Sequence, residues 1–245
     1  MASGDAVLSR ILDRGIDAFL FALKKYFRIQ VEGIEWVPPQ GRCLVVSNHS
    51  GFAGADAILL SHLLRCHRGQ PPVILAHRAF FKWVPALRPF FERFNLREAC
   101  MDSGVSALQE ERCVLLFPEG EDGNFKPSSE RYHLQPFHTG FLRMARETGA
   151  LMIPCLVLGA EEAHFNLGKI ELSSFGKTIK LPLPLNLIPW PARWKVHFLP
   201  PIDPDVAVPP QNHPLKHPEW VALAEKFRMS FQSAMDADRA HRNQP

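Results

Sequence analysis

The sequence is short of several things at once. No stretch approaches the roughly 18 uncharged apolar residues that a spanning helix needs. The longest candidate, TGALMIPCLVLGA at 148–160, is too short, contains Pro154 and reads as a buried strand. No basic start leads into a short apolar core with a small-residue cleavage site, so no signal peptide is expected. The five cysteines are scattered and odd in number, without a Cys-x-x-Cys pair, which points to free thiols in a reducing compartment. Of 11 histidines, His213 and His217 have an interval that some metal sites use, but they sit in a proline-rich loop without cysteines, so no metal is expected. Charge of one sign is scarce too. The 28 basic and 25 acidic residues leave a formal +3 with no long like-charge block, which argues against nucleic acid and is compatible with an anionic membrane surface. There is no Gly-x-Ser-x-Gly elbow, no phosphate loop and no Gly-x-Gly-x-x-Gly after a strand, which disfavours an α/β hydrolase and the common nucleotide binders. Tyrosine is rare, 2 against 18 Phe and 5 Trp, a bias that suits deep cores, acyl pockets or membrane contact.

What is present is a chain of 245 residues, 46% hydrophobic, enough for one large core. Residues 5–28 carry apolar side chains at helical spacing (Leu8, Ile11, Leu12, Ile16, Phe19, Leu20, Leu23, Phe27) with charges on the other side. The pattern predicts an amphipathic helix, packed on the core or lying in a membrane interface. Apolar strands (RCLVVSN, PPVILAH, RCVLLFP, LMIPCLVLGA) then alternate with helical segments (ADAILLSHLLRCH, SGVSALQEE, HTGFLRMARETG), and a long helix closes the chain. Alternation of this kind predicts an α/β fold: a single domain, a largely parallel mixed sheet flanked by helices. The expected division is an N-terminal amphipathic helix over 1–30 and one domain over 31–245. Residues 169–193 read as proline-rich and irregular until the strand WKVHFL.

In parallel α/β sheets, reactive groups collect beyond the carboxyl ends of strands. His49 follows one apolar strand directly, and Asp56 opens the next helix. A carboxylate that accepts from one ring nitrogen holds an imidazole in the tautomer a general base needs. Asp56 as a simple helix cap is the other reading. Phe117-Pro118-Glu119-Gly120 ends a second strand with an acid locked between Pro and Gly. Arg131, Tyr132 and Gln135 form a polar loop, and Glu161 and Glu162 end a third strand.

With these residues together, the chain resembles the glycerolipid acyltransferases, the PlsC-like group that includes glycerol-3-phosphate and lysophosphatidate acyltransferases. The marks are Asn48-His49 and then Asp56 after an apolar strand, Phe117–Gly120 about seventy residues later, and the Ile153-Pro154 strand. The likeness runs from Arg42 to Glu162 and fades by Asp203, and GAEEA and ERYHLQPF further resemble a branch close to diacylglycerol-type enzymes. Six residues (SGFAGA) separate His49 from Asp56, where the family usually has four. Either the loop bulges and Asp56 still reaches the ring, or the imidazole is oriented otherwise. Where the family often follows its Phe-Pro-Glu-Gly with a hydroxyl residue and Arg, this chain has Glu121-Asp122. Arg97 is then the basic candidate for the phosphate-binding segment, with Lys126 and Arg131 as compensating cations.

The resemblance implies a peripheral membrane enzyme on the cytoplasmic side. It would move an acyl group from a thioester, acyl-CoA or acyl-carrier protein, to a lipid hydroxyl, without a bound cofactor. His49 would be the base, Asp56 its orienting carboxylate and Glu119 the group positioning the acceptor. Backbone amides around Ser50 and Gly51 are the candidate oxyanion donors. A non-catalytic lipid-binding protein of the same fold is the alternative. Membrane contact is expected from the first helix and from AFFKWVPALRPFF, where Phe80, Phe81, Trp83, Phe90 and Phe91 stand among Lys82, Arg88 and Arg93; those aromatics could instead line the core or an acyl tunnel.

Overall fold

The computed structural model describes residues 15, 18, 20–50, 54–78, 81, 88–174, 177–186, 188–210 and 214–242. Most of the expected first helix, Gly51, Phe80, Lys82, Trp83 and His213 lie outside them. A helix over 20–26 passes through Arg28 into strand β1 (Gln30–Glu32). There follow β2 (Cys43–Ser47), α1 (Ala55–Arg68), β3 (Val73–Ala76), α2 (Arg88–Arg93), β4 (Leu96–Glu98), α3 (Met101–Gln109), β5 (Cys113–Leu116) and α4 (Gly120–Asn124). Then come α5 (Gly140–Thr148), β6 (Leu151–Leu158), β7 (Asn166–Ser174), β8 (Lys177–Pro184), β9 (Lys195–Phe198), α6 (Pro204–Ala207) and α7 (His217–Arg242).

Seven strands form one sheet in the order β1-β9-β6-β2-β5-β3-β4. Every neighbouring pair is parallel except β6 with β9. The expected largely parallel mixed sheet is therefore present. The central strands read as unbroken apolar runs because both faces are covered. Leu44 and Val46 point into a cluster with Leu108, Phe141, Phe227 and Phe231 from α3, α5 and α7. Cys43 and Val45 point the other way, onto Leu59, Leu60 and Leu64 of α1, with Phe27 and Trp194 at the margin. Burying each such aliphatic side chain is worth about 1.5–3 kcal/mol.

Pro154 sits inside β6 without breaking it. Met152 exchanges both backbone bonds with Ile202, at 3.0 and 2.8 Å, and the Pro154 carbonyl accepts from Leu199 N at 2.8 Å. The missing N–H faces the bend at Pro200-Pro201, where the opposing chain makes no ladder.

Residues 166–184 correct the expectation of irregular chain: β7 and β8 form an antiparallel hairpin, a sheet of its own. The prolines that masked it, Pro182 and Pro184, lie on a strand paired along one side, where a missing N–H is tolerated.

Five strands (β6, β2, β5, β3, β4) end on one rim of the main sheet. Because β1 and β9 run the opposite way, their first residues join that same rim. The helix α1 leaves it and ends at the far rim.

Candidate active site

The three adjacent strands β6, β2 and β5 each deliver an ionisable residue to the carboxyl rim. After β2, the Asn48 side chain continues the ladder to β6: its Nδ2 donates to Val157 O at 3.0 Å and its Oδ1 accepts from Val157 N at 2.8 Å. This strap fixes where the chain leaves the sheet. His49 comes next. Gly54, at φ 76°, turns the chain into α1, and Asp56 stands in the first turn, fully buried. The six-residue loop spans the distance: His49 Nδ1 lies 2.7 Å from Asp56 Oδ2. Asp56 is not the helix cap, which is Gly54. Its Oδ2 also accepts from Ser50 N at 2.8 Å, and Oδ1 accepts from Ala57 N at 2.8 Å. A carboxylate at Nδ1 makes that nitrogen the protonated one and leaves Nε2 with its lone pair. The Phe117 ring stacks on the imidazole, centroids 4.3 Å apart and planes at 24°. Carboxylate and ring together fix both position and tilt of His49.

Glu119 follows β5 and is enclosed. Its Oε1 accepts from His49 N at 3.0 Å and its Oε2 from Gln135 N at 2.7 Å. Burial pushes its carboxyl above the ordinary range, opposed by the Lys126 charge and the two amides. Gly123 leaves room for it: a Cβ there would stand 2.6 Å from Glu119 Cβ. Pro118 O accepts from His138 N at 2.8 Å, and Gly120 N donates to Phe117 O at 3.0 Å, which closes the turn.

Lys126 is buried too. Its ammonium lies 2.7 Å from Glu161 Oε1 and 3.9 Å from Glu119 Oε2, and donates to His133 O at 3.1 Å. It therefore serves as counter-charge between two carboxylates. Arg131 donates to His164 O at 3.2 Å and lies over the Phe165 ring. An open cavity reaches Ser50 and is lined also by Lys126, Arg131, Glu161, His164 and Asn166.

Not every sequence-derived candidate joins this group. Arg97 lies on β4, three strands from β2, and makes a two-pronged pair with Glu110 at 3.2 and 2.9 Å. The Ser50 amide is held by Asp56, so its N–H is not directed at an oxyanion. Gly51 lies outside the described residues. Gln135, named from the polar loop, joins the site through its backbone N–H rather than its side chain. Asn48 and Gly123 were missed as parts of the site: the first was visible as the Asn of Asn-His, and the second carries no signal without the fold. Beyond the site, Glu162 pairs with Arg242 of α7 through two 2.7 Å contacts and with the Tyr132 hydroxyl.

The molecule is thus an α/β sandwich that carries a His–carboxylate pair on the carboxyl rim of its sheet. The family model described as Acyltransferase matches residues 28–158, and the chain belongs to that family. The uncharacterized protein ML2427 of Mycobacterium leprae is 32% identical over 197 residues, 74% of this chain and 53% of that protein. Rv0502 of Mycobacterium tuberculosis is 32% identical over 196 residues, 74% and 54% respectively. The chain thus spans about half the length of these curated relatives. Among solved structures, the 1-acyl-sn-glycerophosphate (LPA) acyltransferase PlsC from Thermotoga maritima shares the fold, with a TM-score of 0.56 and 16% identity over 97% of this chain and 88% of that one. The fold is thus PlsC-like.

Proposed function

We propose that the protein transfers a fatty acyl group from a thioester, acyl-CoA or acyl-carrier protein, to a hydroxyl of a glycerolipid at a membrane surface on the cytoplasmic side. His49 Nε2 takes the proton of the acceptor hydroxyl as its oxygen attacks the thioester carbonyl. The tetrahedral intermediate collapses to the ester, and the departing thiolate recovers the proton from the imidazolium. Asp56 supports the positive charge that forms on the ring in between. The observation that carries the reading is the 2.7 Å contact between His49 Nδ1 and a buried Asp56 carboxylate. Family membership supports the same chemistry. Glu119 acts as a positioning residue through the His49 backbone, and the cavity beside Ser50 receives the acceptor's polar head.

The test is release of free thiol coupled to a new ester, measured with acyl-CoA and a panel of lysolipids and neutral glycerolipids. His49→Ala is expected to lose on the order of 100- to 10,000-fold in rate, with circular dichroism unchanged. Asp56→Asn keeps the loop length but supplies the wrong tautomer, and the expected loss is of similar size. Near-normal turnover by His49→Ala overturns the mechanism.

A further inference from the structure

The chain's exposed apolar surface is unevenly distributed. Of the large hydrophobic side chains that stand in solvent, Leu167, Leu183, Leu185, Ile188 and Trp190 all belong to the β7–β8 hairpin and the segment after it, with Phe165 just before. Ile188 is 79% exposed, Leu185 66%, Leu167 60% and Trp190 49%. Scattered exposed apolar residues are normal, but a concentration of them along one short segment points to an interaction surface. Charge follows the same segment. Residues 165–193 hold four basic residues, Lys169, Lys177, Lys180 and Arg193, against one acid, Glu171. The other 24 basic residues of the chain are matched by 24 acids, so this segment carries the whole formal excess of +3.

The base of the hairpin is tied to the candidate site. Asn166 Nδ2 donates to Phe125 O and Lys126 O at 3.1 and 2.9 Å, and Asn166 N donates to Ser128 Oγ at 2.8 Å. Asn186 Nδ2 donates to Ala163 O at 3.0 Å and to Ile188 O at 2.8 Å, which holds the exit turn. Trp190 N donates to Ala163 O at 2.8 Å, and the Tyr26 hydroxyl donates to Pro189 O at 2.8 Å. The apolar side chains therefore stand on a braced base, beside the cavity lined by His164 and Asn166.

We infer that the β7–β8 hairpin and the segment through Trp190 form a docking surface for an anionic bilayer. Leu167, Leu185, Ile188 and Trp190 enter the acyl boundary, while the net positive charge of the segment favours an anionic headgroup layer. The inference rests on the reading of the acceptor as a membrane lipid, and docking here sets the mouth of the site at headgroup depth. Of the segments expected to do this from sequence, Phe91 is buried with Phe81 against it, ring centroids 5.1 Å apart, and the first helix buries Leu20 and Phe27 while leaving Phe21 and Tyr26 exposed.

The test uses the full chain and vesicles of equal parts phosphatidylcholine and phosphatidylglycerol. Flotation is compared for the wild type, for Leu185→Ser with Ile188→Ser, and for Val221→Ser with Met229→Ser, a control pair exposed on α7. The wild type and the control are expected to float at low salt, and the hairpin variant to bind about tenfold more weakly or worse. Its binding to pure phosphatidylcholine is expected to be weak throughout. Soluble thiol release with a short-chain thioester and a water-soluble alcohol should be the same in all three. Equal flotation of the hairpin variant, equal loss in the control, or a wild type that stays below the vesicles overturns the docking surface. A concentration-dependent dimer abolished by the hairpin substitutions would assign the patch to a second copy and also overturn it. Absence of thiol release from the wild type would sink the catalytic reading alone, since flotation requires no turnover.

Discussion

Gly123 has no side chain, and Glu119 fills the space one would need. A methyl group there would meet Glu119 Cβ at 2.6 Å and Cδ at 2.9 Å, atoms that cannot swing away because both carboxylate oxygens are held. Gly123→Ala is therefore expected to cost about 1–3 kcal/mol of stability and to lower turnover by shifting the His49 backbone. A thermal melt beside the kinetic assay checks both, and an unchanged melt would show that the α4 turn yields. Glu119→Gln is expected to lower transfer to lipid and hydrolysis to water by similar factors, because the carboxylate holds the His49 backbone. Selective loss of lipid transfer would instead put Glu119 in contact with the acceptor. At this scale the convergence of His49, Asp56 and Glu119 was legible, since strand ends in a parallel sheet share a rim. What was not legible is the use of each polar group. Lys126 looked like a cation for substrate, yet Glu161 and Glu119 flank its ammonium. The Ser50 amide looked like an oxyanion donor, yet Asp56 occupies it. Such facts depend on which neighbour lies closest in space, and sequence spacing does not carry that.

Among the elements, α7 is fastened to the sheet by one acid. Asp238 accepts from His197 Nδ1 at 2.6 Å and from Lys195 Nζ at 3.0 Å. Burial alone would raise its carboxyl, but the His197 bond and the Lys195 charge outweigh it and hold the carboxyl below its ordinary range. The unfolded chain then takes up a proton that the folded chain does not, so this stabilisation is present at neutral pH and is lost as pH falls through the depressed value. Partial exposure screens it to about 1 kcal/mol or less. Asp238→Asn should be less stable than wild type near neutrality, and the two denaturation midpoints should merge in acid. A gap that persists in acid would assign the loss to packing. The alternation of strands and helices was readable because each buried strand is a short apolar run between polar turns. The hairpin was not, because Pro182 and Pro184 mimic loop chemistry and its pairing is non-local to any apolar core. Nor was the reversed direction of β9, which follows from where the chain re-enters the sheet after the hairpin.

For the whole molecule, the two rims divide the labour. The working rim holds the His49 site, the braced base of the hairpin and the start of α3; the far rim receives the end of α1. The five thiols sort along the same axis. Cys43, Cys113 and Cys155 are buried, while Cys66 and Cys100 are exposed, the first near the end of α1 and the second at the start of α3. This gives the molecule a chemical handle at each pole. Coupled to a maleimide bead through Cys66, with Cys100→Ser, every copy would face outward and should still capture vesicles and turn over thioester. Coupled through Cys100, with Cys66→Ser, the same protein would face its support, and both activities should fall together.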